Sequence, residues 1–122
     1  MAKRILLVDD SASVRTVAGI ALRGAGYEVV EAANGQEGLA RLNGERIHLI
    51  ISDVNMPVLD GFEFLRELRR MPGGEKPKIV FCTSEHDVSQ IARAMHAGAD
   101  DFIMKPFDRE LVQSKFEGLG LC

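Results

Sequence analysis

Residues that could do chemistry follow four short apolar runs of this 122-residue chain. The runs cover 5–8, 49–52, 79–82 and 102–104, and the residues that follow them are Asp9 with Asp10, Asp53, Thr83 and Lys105. Short apolar runs separated by helix-length segments predict buried parallel strands. Ligands of such open sheets bind at the carboxyl ends of the strands. We therefore expect three carboxylates, a hydroxyl and an ammonium to share one cleft.

The types of these residues favour metal and phosphoryl chemistry. Three carboxylates in one cleft repel one another and favour a hard divalent cation with oxygen ligands. A single aspartate at a strand-to-helix turn is an ordinary helix cap, but the pair Asp9-Asp10 favours metal binding, with capping alone as the alternative. The ammonium of Lys105 suits a phosphoryl group. Beside a metal and a cation, Asp53 could act as a nucleophile toward phosphorus, although its position alone could also hold a turn residue.

Helical segments alternate with the strands, which predicts a parallel sheet covered on both faces. Helix caps are predicted at three places, namely Ser11 or Ser13, Asn34 with Glu37 as in a capping box, and Asp108, and the pair Asp60-Gly61 is expected to lead into a further helix. Apolar spacing predicts the buried faces of two helices. The first would bury Val14, Val17, Ala18, Ala21, Leu22 and Ala25, and the fourth would bury Val88, Ile91, Ala92 and Met95.

Composition narrows the class of protein. The length predicts one domain over 1–122 without an effector domain. The net charge is −3 and no basic stripe is present, which argues against nucleic acid as a partner. No apolar stretch approaches the ~20 residues of a membrane span, and the N-terminus lacks a signal peptide. We expect a cytoplasmic protein with no membrane insertion, in which Cys82 is a small core residue.

Four stretches carry a resemblance to a known family. They are ILLVDDS at 5–11, LIISDVNMPVLDGFEFL at 49–65, IVFCTSE at 79–85 and AGADDFIMKPF at 97–107. Together they resemble the receiver domain of two-component response regulators and, more narrowly, the stand-alone CheY-like proteins. The resemblance implies a doubly wound, flavodoxin-like (βα)5 fold with a five-stranded parallel sheet in the order 2-1-3-4-5.

The resemblance also implies roles for the cleft residues. Asp53 is similar to the phosphoacceptor, and Lys105 to the lysine that pairs with the phosphoryl group. Asp10 would bind Mg²⁺ directly, whereas Asp9 would help through water or from a second shell. Asn55 would give its backbone carbonyl to the metal.

Further positions are implied to act as a switch. Thr83 would move its hydroxyl onto a phosphoryl oxygen, and Phe102 would turn inward into the space that Thr83 leaves. Chemotaxis CheY usually has tyrosine there, so Phe102 lacks a hydroxyl for a partner. Asn55 and Glu85, each two residues beyond a cleft residue, are expected to modulate the lifetime of the phosphate.

The function implied is a phosphorylation-activated signalling switch and not a metabolic enzyme. The chain shows no nucleotide fingerprint, so the phosphodonor would be the phosphohistidine of a histidine kinase. The implied target is a flagellar motor component or another signalling protein, and a phosphatase is a further expected partner. Two alternatives remain open, a pseudo-receiver that binds partners without phosphorylation and a small phosphohydrolase with an aspartyl-phosphate intermediate.

Overall fold

The computed structural model describes residues 3–42, 46–54, 58–74, 77–83, 88–104 and 107–118. Within these residues, strands and helices alternate along the chain. The strands are β1 (Arg4–Val8), β2 (Glu28–Ala32), β3 (Leu49–Asp53), β4 (Lys78–Thr83) and β5 (Asp101–Met104). They form one five-stranded sheet in the order β2-β1-β3-β4-β5, and all neighbouring strands are parallel. The predicted α/β class and the strand order implied by the resemblance are both confirmed.

Five helices cover the two faces of this sheet. They are α1 (Ala12–Gly24), α2 (Gly35–Leu42), α3 (Gly61–Arg70), α4 (Val88–His96) and α5 (Arg109–Gly118). Successive side chains of a strand point to opposite faces, so Ile5 packs with α1 and α5 whereas Leu6 packs on the side of α2, α3 and α4. Two separate apolar cores therefore hold the central strands in place. Among the described residues, no helix has the length and apolar character that a membrane crossing requires.

The predicted helix caps are confirmed by hydrogen bonds. Of the two candidates for α1, Ser11 is the cap, because its side chain accepts from the backbone N–H of Val14 at 3.3 Å. Asn34 accepts from the N–H of Glu37 at 2.8 Å, and the carboxylate of Glu37 accepts in return from the N–H of Ala33 at 3.2 Å. These bonds satisfy donors at helix starts that lack a partner within the helix. The predicted cap Asp108 accepts from the N–H of Leu111 at 2.9 Å. Asp60, which was expected only to lead into the helix, also caps it, because its side chain accepts from the N–H of Glu63 at 2.9 Å.

Three residues predicted to be buried are exposed. Val17 is 57% exposed, Met95 is 44% exposed, and Ala92 also lies at the surface. In α1 the buried residues are Ala18, Gly19 and Leu22, and among the described side chains of α4 the buried one is Ala94. One residue is about 100° of rotation around a helix, so a shift of one position moves a side chain off the face that meets the sheet. The buried stripe of α1 is therefore narrower than predicted, and in α4 Ala94 lies inward while Ala92 and Met95 do not; the predicted burial of Val88 and Ile91 falls outside the described side chains.

At the end of the sheet where the strands begin, the side chain of His48 accepts a backbone hydrogen bond from β1. The backbone N–H of Arg4 donates to Nδ1 of His48 at 3.1 Å. The pKa of His48 lies below its ordinary value, because partial burial and then the positive charges of Arg46 and Lys3 disfavour the imidazolium. Protonation of Nδ1 would also break the hydrogen bond from Arg4. His48 therefore serves the fold as a neutral acceptor, at the end of the sheet away from the carboxyl ends.

Candidate functional site

The carboxyl ends of β1 and β3 bring together the three aspartates of the predicted cleft. Val8 of β1 pairs in register with Ser52 of β3, and Asp53 pairs with Cys82 of β4. Asp9 therefore comes one step beyond its strand at the level where Asp53 ends the neighbouring strand. Cys82 is buried as predicted. The adjacent strand β4 ends at Thr83, so its backbone reaches the same edge.

Three carboxylates meet at this edge, as predicted. Asp9, Asp10 and Asp53 each offer an oxygen, and these oxygens all lie within 4.8 Å of one another. Asp9 is only 2% exposed, Asp53 is half-buried and Asp10 is exposed. A buried carboxylate beside two others is costly unless positive charge or hydrogen bonds compensate it. The all-oxygen donor set, open to solvent on one side, fits Mg²⁺, which binds through one or two carboxylates and keeps several waters.

Asp9 is held by its backbone as well as by its side chain. Its N–H donates to the carbonyl of Ala32 at 3.1 Å, and its Oδ1 accepts from the N–H of Ser11 at 2.9 Å. Its carbonyl oxygen accepts from Nη1 of Arg15 at 2.6 Å. Arg15 was not predicted as part of the site, because an arginine in the first turns of a helix has no spacing that distinguishes it from a solvated residue.

Asp53 lies at the start of a closely packed turn. Its Oδ1 accepts from the N–H of Val54 at 2.8 Å, and its carbonyl oxygen accepts from the hydroxyl of Ser52 at 2.9 Å. The N–H of Gly61 at the start of α3 donates to the carbonyl of Val54 at 2.9 Å. A Cβ atom at Gly61 would lie 2.5 Å from the Asp53 carbonyl oxygen, so only glycine allows this approach.

Phe102 is half-buried on β5, and its neighbours include a lysine that the sequence analysis did not identify. Nζ of Lys115, on α5, lies 4.8 Å from the centroid of the Phe102 ring. The same Nζ lies 3.4 Å from Oδ1 of Asp101, and that oxygen accepts from the N–H of Phe102 at 2.8 Å. Lys115 therefore contacts the ring of Phe102, and Asp101 accepts from its backbone N–H. Only the tertiary structure brings the end of α5 to β5, so the sequence held no indication of this contact.

Three of the predicted residues lie outside the described part of the chain. These are Asn55, Glu85 and Lys105. The backbone of Thr83 is described, but its side chain is not. The predicted roles of these four residues therefore stay predictions.

Comparison with known proteins agrees with the fold and the acidic cluster. Residues 5–117 match the family model of the response regulator receiver domain. The chemotaxis protein CheY of Bacillus subtilis is 36% identical over 113 residues, which cover 92% of this chain and 92% of that protein. The chemotaxis response regulator CheY4 of Vibrio cholerae superposes with a TM-score of 0.88 at 36% identity, over 98% of this chain and 99% of that one.

Two other relatives show that similar domains occur in different settings. A probable transcriptional regulator, ycf27 of Cyanophora paradoxa, is 38% identical over 96% of this chain, which spans only about half (48%) of that protein. The receiver domain of a sensor histidine kinase from Pseudomonas aeruginosa superposes with a TM-score of 0.87 at 30% identity, over 97% of both chains. That structure has a magnesium ion coordinated in its active-site cleft. The match over nearly the whole chain, together with the sheet order and the three clustered aspartates, shows that this chain belongs to the family of response regulator receiver domains.

Proposed function

We propose that this protein is a phosphorylation-activated signalling switch in which Asp53 accepts a phosphoryl group from the phosphohistidine of a histidine kinase. The observation that carries the proposal is the convergence of Asp9, Asp10 and Asp53 at the carboxyl ends of β1 and β3. Asp10 and Asp53, with the backbone carbonyl of Asn55, would hold Mg²⁺, and Asp9 would support it from behind. Bound there, the ion would offset negative charge on the phosphoryl group.

Phosphoryl transfer in this site is a substitution at phosphorus. A carboxylate oxygen of Asp53 forms the new bond to phosphorus, and the bond between phosphorus and the histidine nitrogen of the kinase breaks. The imidazole leaves with the electron pair, and because its other ring nitrogen carries a proton it is released as neutral histidine. Lys105 would pair with the phosphoryl oxygens, so that catalysis is mainly positioning and charge neutralisation. Hydrolysis of the acyl phosphate would reset the protein.

The phosphoryl group carries about two negative charges and replaces the single charge of the Asp53 carboxylate, in a cleft that also holds Asp9 and Asp10. The hydroxyl of Thr83 would move onto a phosphoryl oxygen, and Phe102 would follow into the vacated apolar space. An active conformer that already exists would gain population in this way. A target protein would then bind the face that carries Phe102, Ile91 and Met95. The position of Met95 supports this face, since the side chain is 44% exposed.

Similarity to CheY proteins supports chemotaxis as the setting, with a flagellar motor component or another signalling protein as target. A phosphatase is a further candidate partner. Probable transcriptional regulators are also among the relatives, and this chain covers about half of their length. The same domain is therefore equally compatible with an output other than chemotaxis.

The test is labelling with acetyl phosphate in the presence of Mg²⁺, read by intact mass and by sensitivity to hydroxylamine. Asp53→Asn should abolish the acid-labile phosphate, because the substitution keeps size but removes the nucleophile. Asp10→Asn should lose most of it. The matched control is Asp108→Asn, which keeps a good helix cap outside the acidic cluster and should label normally.

Each contrary outcome would indicate a different acceptor residue or a different function for this protein. Label that persists in Asp53→Asn and maps to another residue would overturn the assignment of the acceptor. Absence of label in the wild-type protein would favour a pseudo-receiver. Sustained turnover of p-nitrophenyl phosphate would favour a phosphohydrolase.

The lifetime of the phosphate offers a further test. Asn55 and Glu85 are placed, by the resemblance, beside the path of the water that attacks the acyl phosphate. We expect Asn55→Ala or Glu85→Ala to change the dephosphorylation rate, with a change in stability within about 0.5 kcal/mol. The half-life of the labelled protein and its melting temperature measure the two effects separately. Identical half-lives in the wild type and both variants would remove these residues from the mechanism.

A further inference from the structure

Arg15 connects the acidic turn to β2, the edge strand next to β1. Its Nη1 donates to the carbonyl oxygen of Asp9 at 2.6 Å, and its Nε donates to Oε1 of Glu31 at 3.2 Å. The side chain is 18% exposed, and Glu31 belongs to β2. The planar guanidinium thus makes two directional bonds at once, which a lysine cannot reproduce.

The Asp9 carbonyl has a particular importance for the metal site. It belongs to the rigid, planar peptide unit that leads directly into Asp10. The preceding peptide unit is fixed too, because the Asp9 N–H donates to the carbonyl of Ala32 at 3.1 Å. Asp10 is exposed, so its carboxylate has no tight packing to orient it. The position of that carboxylate depends instead on the backbone that Arg15 holds.

We propose that Arg15 is a positioning residue for the divalent cation, and that it acts by fixing the peptide unit between Asp9 and Asp10. Glu31 is the anchor that holds the guanidinium in place. This inference rests on the proposed function, because it concerns the same metal site. Some residues hydrogen-bond to metal ligands and orient them without touching the metal. Removing such a residue typically weakens metal affinity about 10- to 100-fold.

The sign of the effect distinguishes positioning from simple charge. A guanidinium close to a cluster of carboxylates repels a cation, so on charge alone its removal should strengthen Mg²⁺ binding. Positioning predicts the opposite, namely weaker binding when the positive charge is taken away. The two explanations therefore cannot both account for one measurement.

The experiment is a titration of each folded variant with MgCl₂, followed by the backbone amide resonances of the protein. Arg15→Met should raise the Kd for Mg²⁺ about tenfold, and Arg15→Lys should recover only part of the affinity although it keeps the charge. Glu31→Ala should raise the Kd about threefold, and it carries the test if Arg15→Met does not fold. The matched control is Arg23→Gln, because Arg23 pairs with the other oxygen of Glu31 at 3.6 Å. It should leave the Kd unchanged.

The outcomes separate this inference from the proposed function. If the wild type binds no Mg²⁺, or if Asp10→Asn binds it as well as the wild type, the proposed metal site is wrong. If the wild type binds and Arg15→Met binds equally or more tightly, the metal site stands and the role of Arg15 is overturned. Equal affinity of Arg15→Lys and the wild type would show that the two bonds of the guanidinium are not needed to hold the peptide unit, and would also refute the inference.

Discussion

Replacement of Lys115 by methionine should loosen Phe102 before any phosphoryl group arrives. Lys115→Met keeps a long apolar side chain but removes the ammonium. Two contacts disappear, one with the Phe102 ring at 4.8 Å and one with the Asp101 carboxylate at 3.4 Å. The ring then loses the attraction that favours its present position, so other ring positions should gain population.

The size of this effect follows from the exposure of the groups. The Lys115 side chain is 30% exposed and that of Asp101 is 26% exposed. A cation over an aromatic ring at an exposed site contributes about 0.5–1 kcal/mol. An exposed ion pair contributes about 0–1 kcal/mol, and it acts on the backbone more than on the ring. We therefore expect a loss of about 0.5–1 kcal/mol, which is a two- to fivefold change in the ratio of ring positions.

The assay is NMR of phenylalanine ring resonances, with Phe102 assigned by comparison with Phe102→Leu. Spectra are recorded with and without beryllofluoride. Lys115→Met should move the resting Phe102 signals toward the activated ones, whereas Lys115→Arg should stay near the wild type because arginine also stacks on rings. Asp101→Asn removes the ion pair but keeps an oxygen for the Phe102 N–H, so it isolates the cation–ring contact. Identical Phe102 resonances in wild type and Lys115→Met, in both states, would refute the reasoning.

Two other predictions concern stability. Gly61→Ala should destabilise the fold by about 1–3 kcal/mol, because its Cβ would lie 2.5 Å from the Asp53 carbonyl oxygen, and urea unfolding of wild type and variant measures the loss. An unchanged unfolding midpoint would contradict the close approach. The folded state lowers the pKa of His48. The contribution of His48 to the free energy of unfolding should therefore be fully present above its ordinary pKa of 6.5 and should decrease as the pH falls below that value. His48→Asn keeps an acceptor for the Arg4 N–H and should flatten this pH dependence in thermal unfolding, and an equally steep dependence in the variant would exclude His48 as its source.

Most of the sheet could be predicted because central parallel strands are buried on both faces. Ile5, Ile50 and Ile79 each have zero exposure, and their runs contrast sharply with the flanking polar residues. The edge strand β2 was harder, since its pattern in Glu28–Ala32 is only half-buried and the sequence indicated just Val29 and Val30. Helix starts were predictable because capping is a local interaction.

The remaining features depend on contacts between elements that are distant in sequence. The exposure of Val17 and Met95 could not be predicted, because apolar spacing identifies a helix face only to within about one residue. The three aspartates could be predicted, since their positions follow from where the strands end. Arg15 and Lys115 could not, because their partners are fixed only when helices and strands pack together.

The order of the strands makes the central strands of the sheet more rigid than its edge strands. β3, which ends at Asp53, has strand neighbours on both sides, whereas β5, which carries Phe102, pairs with β4 alone in the described sheet. Strands with two neighbours open only with the whole domain, while edge strands open at lower cost. Amide hydrogen exchange should therefore be slowest in β3 and faster in β5. Under the proposed function, phosphorylation at the central strand would change the conformation of an edge strand, so the surface could change while the centre of the fold stays intact.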